Sequence, residues 1–354
     1  MRGKSTHRSA APESAAPKTT ASSRILRASR VLGLAVSIVI LLVLTLWAVA
    51  ALYVDFRVPW LRGPGAAIYF LGVLSAWIFC RKRVAAGLTV AAFGVVLAWW
   101  FTLKPSNDRD WQKDVAVTAY ADIDGNKVIL HNIRNCDYRT ETDFDVRHYE
   151  KVFDLEKLRS VDLYVVYWGS PYIAHTMVSF GFQGGDYVCF SIETRKQNGQ
   201  GYSAFKGLFR QFELIYVVAD ERDFVRLRTN YRHGEEVYLY RFQVSPQRAR
   251  AFFLEYLGRI NSLHSKPEWY SALTQNCTTS IRSQHAVSDR APWDWRILVN
   301  GYCTELFYDR GLIDTNLPLA ELKRRAHING RAKAAGNASN FSAQIRQGVP
   351  GADT

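Results

Sequence analysis

The front of the chain is dominated by long uncharged apolar runs, and the rest by shorter alternating and helical patterns. Residues 31–54 hold no charge over 24 positions, enough at about 1.5 Å per residue to cross a hydrocarbon core of about 30 Å. Residues 55–65 contain two prolines and Trp60 and read as an interfacial turn. Residues 66–80 are apolar but short for a span, and Arg81-Lys82-Arg83 separates them from a third uncharged run over 84–103. The pattern predicts three transmembrane helices, at about 31–54, 66–80 and 84–103.

Beyond a short linker the periodicity becomes that of an α+β domain over 104–327. Residues 115–121 and 127–133 alternate and read as strands joined near Asp124-Gly125-Asn126. Residues 134–149 are polar and irregular. Residues 161–168, 213–219 and 236–244 read as further strands, and 173–182 with 187–194 as a hairpin about Gln183-Gly184-Gly185-Asp186. Ser245-Pro246 opens a helix, Ser as cap and Pro in the first turn. Its core face is Ala249, Phe252, Phe253, Tyr256, Leu257, Ile260 and Leu263. A second helix is predicted to begin near Cys277, and 293–311 is helical in part. Residues 328–354, rich in Ala, Gly, Asn and Ser, read as a flexible tail.

Charge adds topology to this picture. The 354-residue chain has a formal charge of +13 and is 48% apolar. Seven Lys/Arg against one acid, Glu13, fall in the first 30 residues, a stretch whose Ala/Ser/Pro/Thr content predicts disorder. A basic tail before an apolar run is a topology signal, and no nucleic-acid-binding motif accompanies it. Tail and Arg81–Arg83 turn on the cytoplasmic side place the chain after residue 103 outside, which in a bacterium is the periplasm. The reading is thus a multi-pass inner-membrane protein with a periplasmic C-terminal domain and no nucleic-acid partner.

The five cysteines, Cys80, Cys136, Cys189, Cys277 and Cys303, match no metal-site spacing, and neither CxxC nor HExxH occurs. No metal or cofactor is therefore expected. Oxidising surroundings would allow a disulfide among Cys136, Cys189 and Cys303, but spacing does not assign one. Cys277, in Gln275-Asn276-Cys277-Thr278-Thr279, stands between a polar cap and an expected first helical turn. A helix N-terminus and a nearby imidazole both favour the nucleophilic thiolate, although an isolated cysteine is more often a small buried apolar residue. The expected base is His175. Strand alternation puts His175, Met177 and Ser179 on one face of the hairpin, with Cys189, Ser191, Glu193 and Arg195 on the matching one. A turn centred near Gly185 pairs His175 near Arg195 and Met177 near Glu193. Glu193 would lie diagonally from His175 and orient its ring; the plainer reading of Glu193 and Arg195 is a surface ion pair. Asp220-Glu221-Arg222-Asp223 reads first as a solvated turn, and otherwise as a brace for the site.

Several segments resemble one family in the same order: SFGF at 179–182, SIETRK at 191–196, ADERD at 219–223, RLRTN at 226–230, VYLYR at 237–241 and QNCTTSI at 275–281. Over roughly residues 108–311 the chain is similar to the bacterial Lnb-type periplasmic domain family, named for a lipoprotein N-acyltransferase. The resemblance implies a papain-like, NlpC-like α+β fold, permuted so that His precedes Cys. Asn-Cys at the nucleophile is also similar to the lecithin:retinol acyltransferase family, which passes phospholipid acyl groups through a cysteine thioester. The resemblance implies Cys277 as nucleophile and His175 as base; the reading of the residues themselves adds Glu193 as orienting group, with Asn276, Ser191 and Arg195 in support. The expected function is acyl transfer from phospholipid or lipoprotein to an amine. A cell-wall peptidase or amidase using the same dyad, and a non-catalytic module binding lipid or lipoprotein, are the alternatives, since fold and dyad do not fix specificity.

Overall fold

The computed structural model describes residues 21–274 and 292–352. The basic tail over 1–20 lies outside the described residues. So do Asn276, Cys277 and the helix expected there. The chain divides into two compact units, residues 1–102 and 103–354.

The first unit contains α1 (Ala21–Asp55), α2 (Pro59–Phe79) and α3 (Lys82–Thr102). Arg27–Asp55, Pro59–Phe79 and Lys82–Thr102 are each long and apolar enough to cross a membrane. Helix α1 starts at Ala21, inside the stretch expected to be disordered. The second span differs more. It begins at Pro59 rather than near residue 66, which makes it 21 residues long. Proline fits the first helical turn, where its missing N–H has no partner to lose, and Val58 before it is extended. Ala48, Ala51 and Ala85 are fully buried, the small side chains that let helices approach closely in lipid. Asp55 is buried and accepts from Trp100 Nε1 at 2.8 Å.

The second unit is a mixed α/β domain. Its strands are β1 (Tyr120–Asp124), β2 (Lys127–Arg134), β3 (Asp137–Tyr138), β4 (Phe144–Asp145), β5 (His148–Asp154), β6 (Leu158–Trp168), β7 (Ala174–Phe182), β8 (Asp186–Arg195), β9 (Glu213–Ala219) and β10 (Glu235–Arg241). The main sheet runs β1-β2-β9-β8-β7-β6-β10, with β5 pairing β2, and β3-β4 form a separate ribbon. Strand β5 falls in and just beyond the segment read as irregular, and residues 115–119 are not strand. The β7–β8 hairpin turns through Gly184 and Gly185, both at positive φ, where a Cβ would be strained.

Helix α5 (Pro246–Ser265) covers one face of the sheet. Ser245 caps it, accepting from the Arg248 N–H, and all seven residues of the expected core stripe are buried. Phe252, Phe253 and Tyr256 close over Phe180 and Phe190 in edge-on and tilted contacts, each buried ring contributing about 1.5–3 kcal/mol. On the same side lies α6 (Cys303–Asp309), preceded by two 3-10 turns. The other face carries Met177, Cys189, Ile215, Val217, Val237 and Leu239. It is covered by α4 (Glu221–Arg226) and by the C-terminal helices that follow α7 (Leu319–Ala326).

The segment beyond His327, expected to be a flexible tail, is folded. It forms α8 (Asn329–Ala335) and α9 (Phe341–Arg346), with Phe341, Ile345 and Val349 in the core. Arg346 is buried and binds Asp162 at 2.8 Å and Glu221 at 2.6 Å. Single well-spaced apolar residues and one internal arginine order this stretch, despite a composition typical of loops. ADERD is likewise not a solvated turn. Asp220 caps α4, while Glu221 and Asp223 are fully buried and paired with arginines.

Candidate functional site

The hairpin sets the geometry. Met177 faces Ser191 and Ser179 faces Cys189, a register two residues from the one expected. A shift of two leaves every side chain on its expected face. Continued toward the strand ends, it puts His175 directly opposite Glu193 instead of Arg195. His175 Nε2 lies 2.7 Å from Ser191 Oγ and 3.1 Å from Glu193 Oε1. Ser191 Oγ donates to Glu193 Oε1 at 2.6 Å. With its proton so committed, the Ser191 oxygen accepts from Nε2–H. This arrangement holds the imidazole in the Nε2–H form and leaves Nδ1 as the basic nitrogen.

The trio is partly shielded, with side-chain exposures of 12% for His175 and 27% for Glu193. Burial pushes the Glu193 carboxyl up, but His175 and Arg228, with the hydrogen bond from Ser191, outweigh it and hold the group well below the usual carboxylate range. Arg228 Nη2 lies 3.4 Å from Glu193 Oε1, and its Nη1 3.1 Å from Glu235 Oε2. Arg232 extends the chain, reaching Glu235 at 3.2 Å and Glu141 at 3.1 Å. Arg228 stands on a single π-helical turn, Leu227–Tyr231, continuing from α4, a distortion that often marks functional positions.

Three side chains singled out in the sequence, His175, Ser191 and Glu193, are therefore brought together. Arg195 is engaged elsewhere. Its guanidinium donates to the carbonyls of Val115 and Ala116 and to Asn107, and stacks 4.3 Å from the Trp111 ring. It fastens the entry segment of the domain to the end of β8. Cys189 shares the site face but is fully buried, and burial followed by the Glu221 charge pushes its thiol well above the ordinary value. Cys136 is also buried and pushed up to about 12, by burial and then by Asp223. Both remain thiols at neutral pH and are poor nucleophiles. Among the described residues no disulfide is formed.

Sequence reasoning assigned no role to Arg228, although it falls inside RLRTN, and none to Asn300. The Asn300 amide grips both backbone groups of Ala174, accepting from its N–H at 2.9 Å and donating to its carbonyl at 2.5 Å. Gly301 follows, and a Cβ there would sit 2.2 Å from the Pro171 carbonyl oxygen. Asn300 and Gly301 thus hold the loop that leads into His175. Beside it opens a cleft of about 440 Å³, walled by Tyr167, Trp168, Tyr238, Tyr240 and Tyr302 with Glu236 and Glu305.

A domain of this kind, preceded by three helices suited to a membrane and carrying a His-Ser-Glu cluster on one sheet face, belongs to the membrane-tethered α/β class. Residues 145–301 match the family model of the Lnb N-terminal periplasmic domain. The match takes in His175, Ser191, Glu193, Arg228 and Asn300. No curated protein and no solved structure matches the chain.

Proposed function

We propose that the protein is a cysteine-dependent acyltransferase of the bacterial inner membrane, with a papain-like domain in the periplasm. Cys277 is the nucleophile and His175 its base. The observation that carries this reading is the commitment of His175 Nε2 to Ser191 and Glu193, at 2.7 and 3.1 Å. A base needs one ring nitrogen fixed and charged support for its protonated form. His175 Nδ1 takes the Cys277 proton, and Glu193 stabilises the imidazolium. The thiolate adds to the ester carbonyl of a phospholipid or lipoprotein. A backbone N–H near Asn276–Cys277 holds the oxyanion. Collapse breaks the ester C–O bond, the departing alkoxide takes the proton from His175, and the acyl group remains as a thioester. An amine then attacks the thioester, loses its proton to His175 and expels the thiolate. The aromatic cleft beside the His175 loop suits an acyl chain.

Intact-protein mass spectrometry of the membrane-extracted chain tests this. A hydroxylamine-labile acyl mass on wild type, absent from Cys277→Ala and His175→Ala, is the expected result. A Cys277 that reacts with a thiol probe but carries no acyl mass would favour a cell-wall hydrolase. An unreactive Cys277 would overturn the dyad and leave a lipid-binding module.

A further inference from the structure

We propose that the segments 202–210 and 269–273 form a docking surface for the phospholipid bilayer. This is a binding function separate from the chemistry above and independent of Cys277. Phe205, Leu208 and Leu273 are 54%, 44% and 61% exposed, an unusual concentration of large apolar side chains on a soluble face. The two segments are joined: the Ala272 N–H donates to the Gly207 carbonyl at 2.9 Å, and a Cβ on Gly207 would touch both Ala272 and Tyr270. The same segments grasp the start of the domain. Arg210 Nη1 donates to the Leu103 carbonyl at 2.8 Å and Trp269 Nε1 at 3.4 Å.

Leu103 follows directly on the last residue of α3, a helix apolar enough to cross a membrane. The Leu103 carbonyl is thus one residue along the chain from the end of a helix apolar enough to cross a membrane. Surfaces in that position meet lipid headgroups and the outer part of the acyl region, where aromatic and aliphatic side chains flanked by cations partition. The flanking charge fits this surface. Residues 200–209 contain Lys206, which is exposed, and no acid, and Lys104 is exposed as well. A bilayer containing anionic phospholipid is the occupant these features select.

The experiment uses the full chain in vesicles of phosphatidylethanolamine and phosphatidylglycerol, with an environment-sensitive fluorescent amino acid at position 205 or 273. A control probe replaces Asp124. Arg250, near the start of α5, binds Asn126, while the carbonyls of Leu263 and His264 at its end bind Asn107. The control thus sits most of a 30 Å helix away from the entry segment. The expected result is several-fold stronger quenching at 205 and 273 than at 124 by lipids bearing a headgroup nitroxide, with the reverse order for iodide. Lys104→Glu combined with Lys206→Glu should weaken the lipid quenching. Iodide access at 205 equal to that at 124 would overturn the proposal. Protection from iodide without quenching by the nitroxide lipid would also overturn it, since a protein would then be the covering surface.

Discussion

Replacement of Arg346 by Met tests whether the C-terminal segment is an integral part of the domain. Arg346 is 3% exposed, and its two carboxylate partners, Asp162 and Glu221, are fully buried. It also lies 3.5 Å from the Tyr187 ring. Burial works against the guanidinium charge, but Glu221, Tyr164 and Asp162 outweigh it and hold the group protonated. Arg346→Met leaves Asp162 with Arg241, which it meets at 2.5 Å. Among the described residues Glu221 then keeps two hydroxyl donors, Tyr164 at 2.7 Å and Ser179 at 2.6 Å. Breaking a buried pair in this way costs about 3–5 kcal/mol, a large part of a typical 5–15 kcal/mol margin. For a domain of this size the loss corresponds to about 10 °C in melting temperature. Thermal unfolding of the full chain in detergent, followed by tryptophan fluorescence, measures it. Pairing the change with Glu221→Gln removes the stranded charge, so the double variant should be more stable than the sum of the singles by about 1 kcal/mol or more. An Arg346→Met protein within about 1 kcal/mol of wild type, below the usual cost of an uncompensated buried charge, would refute the argument.

Other outcomes follow from the site. Glu193→Gln keeps the shape but removes the charge 3.1 Å from His175 Nε2; a hydrogen bond to a charged group exceeds a neutral one by about 1–2 kcal/mol. Alkylation of Cys277 near neutral pH should slow by about ten-fold, and an unchanged rate in Glu193→Gln beside a slowed one in His175→Ala would exclude Glu193. The Glu193 carboxyl is held low in the fold, so its stabilising contribution is present above the unfolded carboxylate pKa of about 4.3 and is lost as pH falls through the folded value. The stability gap between wild type and Glu193→Gln should therefore be full at pH 6 and narrow under acid, as urea titrations would show. Gly301→Ala must move backbone, because the new Cβ would lie 2.2 Å from the Pro171 oxygen and 2.4 Å from the Tyr172 carbonyl carbon. A loss of about 1–3 kcal/mol is expected, with slower Cys277 alkylation as the displaced loop carries His175. A shift in melting with full thiol reactivity would limit Gly301 to packing.

What the sequence made legible followed strict periodicity. The α5 stripe was readable because seven apolar residues repeat at helical spacing, and all seven are buried. The hairpin face was readable because alternation survives a register error of two residues. Composition was the weaker guide. ADERD looked solvated because four charged residues in a row are usually a loop, and the local pattern cannot reveal that Arg134 and Arg346, 89 and 125 positions away from their partners, neutralise Asp223 and Glu221. The same long-range pairing orders the C-terminal segment, where Arg346 and Phe341 are single residues in a polar background. Arg195 shows the converse limit: alternation gave its face, while its partners, at 107, 115 and 116, come from a stretch with no strand pattern of its own.

These long-range pairs meet in one short stretch of chain. Within 221–228, Glu221 is fixed by Arg346, Tyr164 and Ser179, and Asp223 by Arg134, the Cys136 N–H and Tyr138. Two buried carboxylates, two residues apart, thus anchor α4 through separate partners in distant parts of the chain. The π-turn that follows extends from this anchored base and presents Arg228 to Glu193 at 3.4 Å. An arginine on a loosely held loop would lose much of its effect to side-chain and backbone freedom. Here the freedom is removed upstream, where the charges are fully desolvated and breaking any one pair is costly. The burial of ADERD and the orientation of His175 are therefore parts of one arrangement. A change at Arg134 or Arg346 that leaves the domain folded should still reach the site, by loosening Arg228 from Glu193. In such a variant, conditions that restore global stability without restoring the Arg228–Glu193 contact should leave Cys277 alkylation slow. Full recovery of reactivity with stability would show that α4 only supports the fold.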